Sequence, residues 1–275
     1  TTSELVKISS DGNLGLEEGQ KFERGGIYRF TVDVTKGNTK AVLTVEKVGK
    51  VDLPAPDIFF GNDKMEVTDT DIYKSDQAFT QGQMITVTGI DNLNEWWIDP
   101  DFFEKQSDGA LKFLPINGDY RVTANAVLKY FSVMALKDGK PAKLQDDGTG
   151  AIWAIGKGIG KPSVASSEVG WEPGKALCLA QVAPKKYQLT LKAGETLKTS
   201  GDPEVISFKF FHQNDWGGEF GNYANSILVE QLKLADSGNL EMQDNKAFEE
   251  GAVYRFTIDV TNGNANADLK VEKIN

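Results

Sequence analysis

The clearest pattern in the sequence is an alternation of apolar and polar residues near both ends of the chain. Residues 27–34 alternate with a period of two, a turn follows at residues 36–38, and the alternation resumes at residues 41–46. Successive side chains of a β-strand point to opposite faces, so this pattern predicts a β-hairpin. The last fifty residues repeat the same pattern.

The two ends of the chain are copies of one module. Residues 3–48 align with residues 229–274 without a gap, and the segment 28–35 differs from the segment 254–261 at one position only. Self-similarity of this extent indicates a duplicated module. We therefore expect residues 1–50 to be the closing hairpin of an upstream β module, in a chain that is a piece of a longer, multi-module protein.

Strand patterns also dominate the rest of the chain. Echoes of the Tyr-Arg-Phe-Thr motif at Tyr28 and Tyr254 begin at Tyr120 and Tyr187, which indicates that one strand design is reused. A short helix is predicted at residues 99–105, but no segment keeps a helical period. The sequence therefore predicts an all-β fold of β-sandwiches, in which alternate residues of each strand face inward. Further strand candidates are 83–89, 130–136, 151–155, 175–182 and 205–211.

Segments rich in Pro, Gly and Asp divide the chain. Residues 50–57 contain two prolines and predict a stiff linker, and a polar break at residues 146–150 marks a second boundary. Alternatively, the N-terminal hairpin adds its strands to the middle domain, because a two-stranded hairpin is only marginally stable by itself. The predicted parts are the module tail (1–50), a middle β-sandwich domain (57–146) and a complete C-terminal β-sandwich module (148–275).

Composition and charge exclude several classes of function. The 275 residues carry a formal net charge of −10 without a basic stripe, which argues against binding to nucleic acid or directly to anionic lipid. No apolar run approaches the ~20 residues that a membrane span requires. The single cysteine, Cys178, is predicted to be a buried strand thiol, and a single His excludes a multi-His metal site. We predict no metal and no cofactor.

Two further segments have only a superficial likeness to ligand sites. The Gly-rich segment 156–162 has the wrong spacing for a phosphate loop and carries Pro162 where Ser or Thr is required, so it is predicted to be a mobile turn. The acidic stretch 63–76 offers oxygen ligands that would suit calcium, but it lacks the EF-hand spacing. We predict a solvated loop there.

A loop rich in aromatic and polar residues follows the strand candidate that ends at residue 211. In that strand, Lys209 is expected to face away from the two phenylalanines that flank it. Sugars stack their apolar C–H faces on indole rings, and their hydroxyl groups form hydrogen bonds with amide, carboxylate and ammonium groups. The loop therefore predicts a glycan site. Its candidate residues are Gln213, Asn214, Asp215 and Trp216, together with Lys209 and Trp171.

The C-terminal part of the chain resembles a known family. The spaced motifs Trp153, Gly170-Trp171, Phe208-Lys209-Phe210 and Asp215-Trp216, followed by the closing segment 251–260, are similar to those of the SusE/SusF-like outer-membrane lipoproteins of Bacteroidetes, which are encoded in polysaccharide-utilisation loci. The resemblance covers residues 148–275. It implies tandem immunoglobulin-like β-sandwiches of the carbohydrate-binding-module type.

The resemblance also implies a function and a location. It implies a non-catalytic binder of oligosaccharides or polysaccharides, lipid-anchored at the cell surface in the outer membrane, with membrane contact only through an anchor outside this chain. Lys209 and Trp216 match the positions that line the family's sugar site, and Trp171 is a weaker match.

Two other functions remain open at this point. The chain could be a spacer or a partner of an outer-membrane nutrient transporter complex, in which case Trp171 and Trp216 would be buried and no pocket would hold clustered polar groups. A glycoside hydrolase would require two carboxylates about 5–10 Å apart across a cleft. No local motif singles out such a pair.

Overall fold

The computed structural model describes residues 4–8, 12–18, 20–200 and 205–275. The chain divides into two compact units, residues 1–56 and residues 57–275. The prediction of an all-β fold is confirmed: within the described ranges, the only α-helix is the single turn α1 (Val164–Ser167). Short 3-10 turns lie at Asn38–Lys40, Leu93–Glu95, Pro173–Lys175 and Asn264–Asn266.

The described residues of the first unit form two antiparallel strand pairs. One pair joins β1 to β2, and the other joins β3 to β4 as the hairpin that the alternating pattern predicts. Gly37 has a φ angle of 89°, a conformation that favours glycine, and it begins the turn between β3 and β4. These strands are β1 (Val6–Ile8), β2 (Leu14–Leu16), β3 (Gly26–Asp33) and β4 (Val42–Lys50).

The first half of the second unit is built from β5 (Phe59–Phe60), β6 (Asp63–Lys64), β7 (Glu66–Asp69), β8 (Ile72–Phe79), β9 (Met84–Ile85), β10 (Val87–Thr88), β11 (Phe103–Lys105), β12 (Leu111–Phe113), β13 (Gly118–Asn125), β14 (Tyr130–Lys137) and β15 (Lys140–Pro141). A five-stranded sheet has the order β15-β14-β13-β8-β7, and two three-stranded sheets have the orders β10-β5-β6 and β11-β12-β9. Aromatic rings fill the core; Phe60, for example, contacts Phe79, Phe103 and Phe131. The prediction of a short helix at residues 99–105 is wrong, because residues 103–105 pair as β11 with β12.

The second half of this unit contains β16 (Trp153–Gly160), β17 (Glu168–Gly170), β18 (Leu177–Cys178), β19 (Ala180–Ala183), β20 (Lys186–Lys192), β21 (Ser207–Phe211), β22 (Asn225–Ile227), β23 (Leu232–Leu234), β24 (Leu240–Met242), β25 (Val253–Asp259) and β26 (Asp268–Lys273). One sheet has the order β17-β16-β21-β24-β23, with β18 also paired to β16, and the other has the order β19-β20-β25-β26-β22. Phe208 and Phe210 of the first sheet contact Phe256 of the second, with ring centroids 5.5 and 6.4 Å apart. The two sheets therefore enclose one sandwich core.

The Gly-rich segment 156–162 is not the mobile turn that the sequence predicted. Residues 156–160 belong to β16, which pairs with β21 on one side and β17 on the other. A Cβ atom on Gly156 would lie 2.4 Å from both the Ser207 carbonyl oxygen and the Phe208 Cα. Glycine is therefore required here because neighbouring backbone comes too close for a side chain.

The two halves of the second unit are joined by direct hydrogen bonds and by a buried ion cluster. The Trp153 indole donates to the Ala142 carbonyl at 3.0 Å, and the Ile116 amide donates to the Gln181 carbonyl at 2.8 Å. Lys161 is buried between the carboxylates of Asp99, at 2.8 Å, and Asp101, at 3.1 Å. The separate domains 57–146 and 148–275 stay a prediction, since these contacts join both segments into one compact unit.

Candidate functional site

The site predicted from the sequence lies on the outer face of the β17-β16-β21 sheet. On β21, Phe208 and Phe210 point into the core, and Lys209 and Phe211 lie on the opposite face, as the alternation predicted. Lys209 is half-buried and lies opposite Ile155 of β16. Phe211 is fully buried even though it faces outward. Something must therefore cover this end of the outer face.

Trp153 of β16 lies directly opposite Phe211 on this face, and Trp216, in the loop after β21, also packs against Phe211. The Trp216 ring packs edge-on against Phe211, with centroids 6.0 Å apart and planes at 71°. The loop closes through a hydrogen bond of 2.7 Å from the His212 amide to the Gly218 carbonyl. Gly217 and Gly218 have φ angles of 85° and 70°, which turns the chain back immediately after Trp216.

Two of the predicted ligand residues hold Trp216 in place. The Gln213 side-chain amide donates to the Trp216 carbonyl at 2.6 Å, and the Asp215 carboxylate accepts from the Trp216 amide at 2.8 Å. Asp215 is exposed, while Gln213 and Asn214 are half-buried. Gln213 and Asp215 thus brace the backbone around the indole, and the second carboxylate oxygen of Asp215 is available for a further hydrogen bond.

Trp171 joins this site from another part of the chain. Its ring stacks with that of Trp216, with centroids 6.3 Å apart and planes at 26°. Trp171 is half-buried and directly follows β17, which pairs with β16 through Gly170 and Gly156. Trp216 remains 50% exposed. The structure therefore brings Trp171, Trp216 and the outward face of β21 together. The sequence predicted these residues as one site, but their proximity depends on the tertiary structure.

A polar cleft of about 650 Å³ borders Trp171 through its neighbours Gly170 and Glu172. Lys157, Glu168 and Lys198 also line the cleft. Sequence reasoning missed these three residues, because they lie on separate strands and turns and share no motif. Lys157 lies in the segment that was predicted to be a turn, so the sequence did not indicate that it lies on a strand of this sheet.

Glu168 is held as a carboxylate in this cleft. It accepts hydrogen bonds from the Gly158 amide at 2.8 Å and from the Lys198 ammonium at 2.9 Å. Burial alone would raise the pKa of Glu168, but these two partners outweigh burial, and the pKa lies below its ordinary value. The cleft therefore offers a fixed negative charge beside a fixed positive charge.

A second cleft, of about 380 Å³, lies between the two halves of the unit. Trp97, Tyr130 and Ser132 line it, and the Lys161 ammonium lies 5.9 Å from the centre of the Trp97 ring. Cys178 also lines this cleft, and burial raises the pKa of its thiol to about 12. The prediction of a buried strand thiol is confirmed, and a thiol with this pKa is a poor nucleophile at neutral pH.

The part of the chain that the structure describes holds no group of three or more His, Cys, Asp or Glu side chains arranged for a metal ion. None of its helices has the length and apolar character needed to cross a membrane.

Comparison with known families places the repeat in a defined group. The family described as Domain of unknown function (DUF5121) matches residues 1–35 and 147–261, which together make up more than half of the chain. The chain belongs to the DUF5121 family. Its two matched segments end at equivalent positions of the repeat, Thr35 and Thr261, so the first strand of the closing hairpin lies within the match in both copies. A second family, Domain of unknown function (DUF5125), matches residues 51–144.

Among solved structures, the crystal structure of SusF from Bacteroides thetaiotaomicron is similar to the chain at 15% identity and a TM-score of 0.29. The alignment covers 98% of this chain and 65% of that one, so the chain spans less than two thirds of the length of SusF. No curated protein matches the sequence.

Proposed function

We propose that the DUF5121 module of this chain binds glycans without cleaving them, on the face formed by Trp171, Trp216 and Lys209. The observation that carries the proposal is the half-exposed indole of Trp216, which is braced by two hydrogen bonds and stacked on Trp171. A flat aromatic surface held rigidly at the protein surface suits the apolar face of a sugar ring, because little conformational freedom is lost on binding.

The polar groups around the two indoles support the same chemistry. Sugar hydroxyl groups both donate and accept hydrogen bonds. Asp215 offers a carboxylate oxygen beside Trp216, and the cleft next to Trp171 is lined by Lys157 and Glu168. An apolar platform with directed polar groups at its edge favours a carbohydrate over a purely apolar ligand.

The exposure of Trp216 and the polar cleft beside Trp171 favour binding over a role as spacer. A spacer would be expected to bury Trp171 and Trp216 and to lack a polar cleft beside them. Trp216 is instead half-exposed, and the cleft beside Trp171 carries both charges. The proposal also includes a lipid anchor at the cell surface and a transporter as partner. Both are supported by the family resemblance of the sequence.

The charge state of Glu168 argues against a general-acid role for this residue. A glycosidase requires one carboxylic acid whose raised pKa keeps it protonated as the general acid. Glu168 and Glu172 both line the cleft, but the pKa of Glu168 is lowered by the Gly158 amide and by Lys198 despite burial. Glu168 therefore suits the recognition of a hydroxyl group better than the donation of a proton.

Affinity electrophoresis on a panel of immobilised plant, host and microbial polysaccharides tests the proposal. We expect retardation of the native chain by one polysaccharide class without release of sugar, and loss of retardation in Trp216→Ala. Met84→Ala is a matched control, because Met84 is a surface apolar residue with 51% exposure on β9. Near-ultraviolet circular dichroism would verify that each variant keeps its fold.

Three outcomes would contradict the proposal. Retained binding in Trp216→Ala would exclude the assigned site, and absence of retardation across the panel would favour the spacer role. Release of sugar would favour a hydrolase.

A further inference from the structure

The first unit of the chain has the same local structure as the closing part of the C-terminal module. Strands β1 and β2 occupy the positions of β23 and β24 in the repeat, and β3 and β4 occupy those of β25 and β26. The edge contact between Phe22 and Tyr28, with centroids 4.8 Å apart, recurs between Phe248 and Tyr254 at 4.6 Å. The two copies are therefore equivalent in conformation as well as in sequence.

The two copies differ in what covers their apolar face. Phe30 and Val32 are 49% and 61% exposed, whereas the equivalent Phe256 and Ile258 are fully buried. Val34, at the end of the same alternating segment, is also exposed. A contiguous apolar face of this kind on a folded protein marks an interaction surface.

Two strand edges in the first unit are also open where the C-terminal module has pairing partners. β25 pairs with β26 and β20, whereas β3 pairs only with β4 in the described part of the chain. β24 pairs with β23 and β21, whereas β2, among the described residues, pairs only with β1. An open edge presents backbone N–H and C=O groups that can accept an additional strand.

The C-terminal module shows which structure fills these positions. Residues before position 229 supply β20, whose Leu189 and Leu191 lie opposite Phe256 and Tyr254. They also supply β21, which pairs with β24 and places Phe208 against the Phe256 ring. The occupant of the equivalent positions in the first unit therefore needs one alternating strand like β20 and one facing strand with inward aromatic residues like β21.

We propose that residues 1–56 form the docking half of a β-sandwich, and that its occupant is a polypeptide segment built like residues 148–228, the first part of a DUF5121 module. The segment adds one strand to the open edge of β3 and another to that of β2, and it covers Phe30, Val32 and Val34. A second copy of the whole chain suits this role poorly, because its own residues 148–228 are already paired with its β24 and β25. The inference is independent of the proposed glycan binding.

The test compares the native chain with a chain that has a second copy of residues 148–228 joined ahead of residue 1 by a flexible linker. Lys209→Arg in the added copy marks its peptides by mass. Hydrogen exchange read by mass spectrometry should show β3 exchanging faster than β25 in the native chain. In the extended chain we expect hydrogen exchange of the β3 amides to slow at least ~10-fold. The marked copy should also be protected from exchange, and light scattering should give the mass of a monomer.

Two substitutions in the extended chain make the test specific. Val32→Asp places a charge on the covered face and should restore fast exchange of β3. Thr31→Asp is the matched control, because residue 31 lies on the opposite face of the same strand, and protection should persist.

Unchanged exchange of β3 in the extended chain, whether or not the marked copy is protected, would overturn the proposal. A native chain that dimerises and protects β3 in the dimer would also overturn it, since the occupant would then be a second copy.

Discussion

Trp171 and Trp216 stack with their ring centroids 6.3 Å apart, although they lie in loops that follow different strands. Trp171 follows β17 and Trp216 follows β21, and β16 lies between these two strands in the sheet. The geometry of the aromatic pair is therefore set by the pairing of β16 with both neighbours. Changes to β16 or to the bracing of the loop should alter the site without touching either indole.

Gln213→Ala should weaken glycan retention without abolishing it. The Gln213 amide holds the Trp216 carbonyl at 2.6 Å, and loss of one such hydrogen bond corresponds to roughly a two- to tenfold change in an equilibrium constant. Affinity electrophoresis against the retained polysaccharide would measure the effect. Gln145→Ala removes a comparable bond, of 2.8 Å to the Lys143 carbonyl, in a different turn. Equal losses in both variants would contradict the bracing role.

Gly156→Ala should destabilise the second unit by at least about 2 kcal/mol, because overpacking forces backbone to move. The new Cβ atom would lie 2.4 Å from the Phe208 Cα on the paired strand. Urea unfolding would measure the change. Gly174→Ala is the control, since no atom lies within 4 Å of a Cβ at that position. A loss in Gly156→Ala no larger than in the control would mean that the two strands are not this close.

Lys161→Met should destabilise the second unit by about 3–5 kcal/mol, because it leaves buried carboxylates without their cation. Lys161 lies 2.8 Å from Asp99 and 3.1 Å from Asp101, and all three side chains are buried. Lys64→Met breaks an exposed ion pair of 2.7 Å with Asp57 and should cost less than about 1 kcal/mol. Thermal unfolding compares the two variants, and similar losses would refute the structural role of the cluster.

Stability should fall in acid partly through Glu168. Its folded-state pKa is lowered from the ordinary 4.5, because hydrogen bonds from the Gly158 amide and Lys198 outweigh burial. The carboxylate therefore contributes stability above pH 4.5, and this contribution is lost as the pH falls through the lowered folded-state pKa. Glu168→Gln should lower stability at neutral pH and flatten the acid slope, as measured by urea unfolding from pH 3 to 7. An unchanged slope would contradict the prediction.

Part of the site could be predicted from local sequence and part could not. The alternation in β21 places Lys209 and Phe211 on one face, because a strand repeats every two residues. The stacking of Trp171 on Trp216 depends on which strands are neighbours, and no spacing rule gives that order. The interpretation of residues 156–162 as a turn failed because glycine signals both turns and close strand approach, and only the position of Phe208 decides between them.

The sequence by itself determined the strands and turn of each terminal hairpin and the equivalence of the two hairpins, because their backbone conformation follows from side-chain pattern and near neighbours. The copies accordingly share their turn glycines, Gly37 and Gly263, with φ angles of 89° and 94°. Burial was decided only by the tertiary structure. Phe30 and Phe256 occupy the same place in the same local sequence, yet one is exposed and the other is buried. The difference arises because β20 and β21, remote in sequence, cover only the second copy.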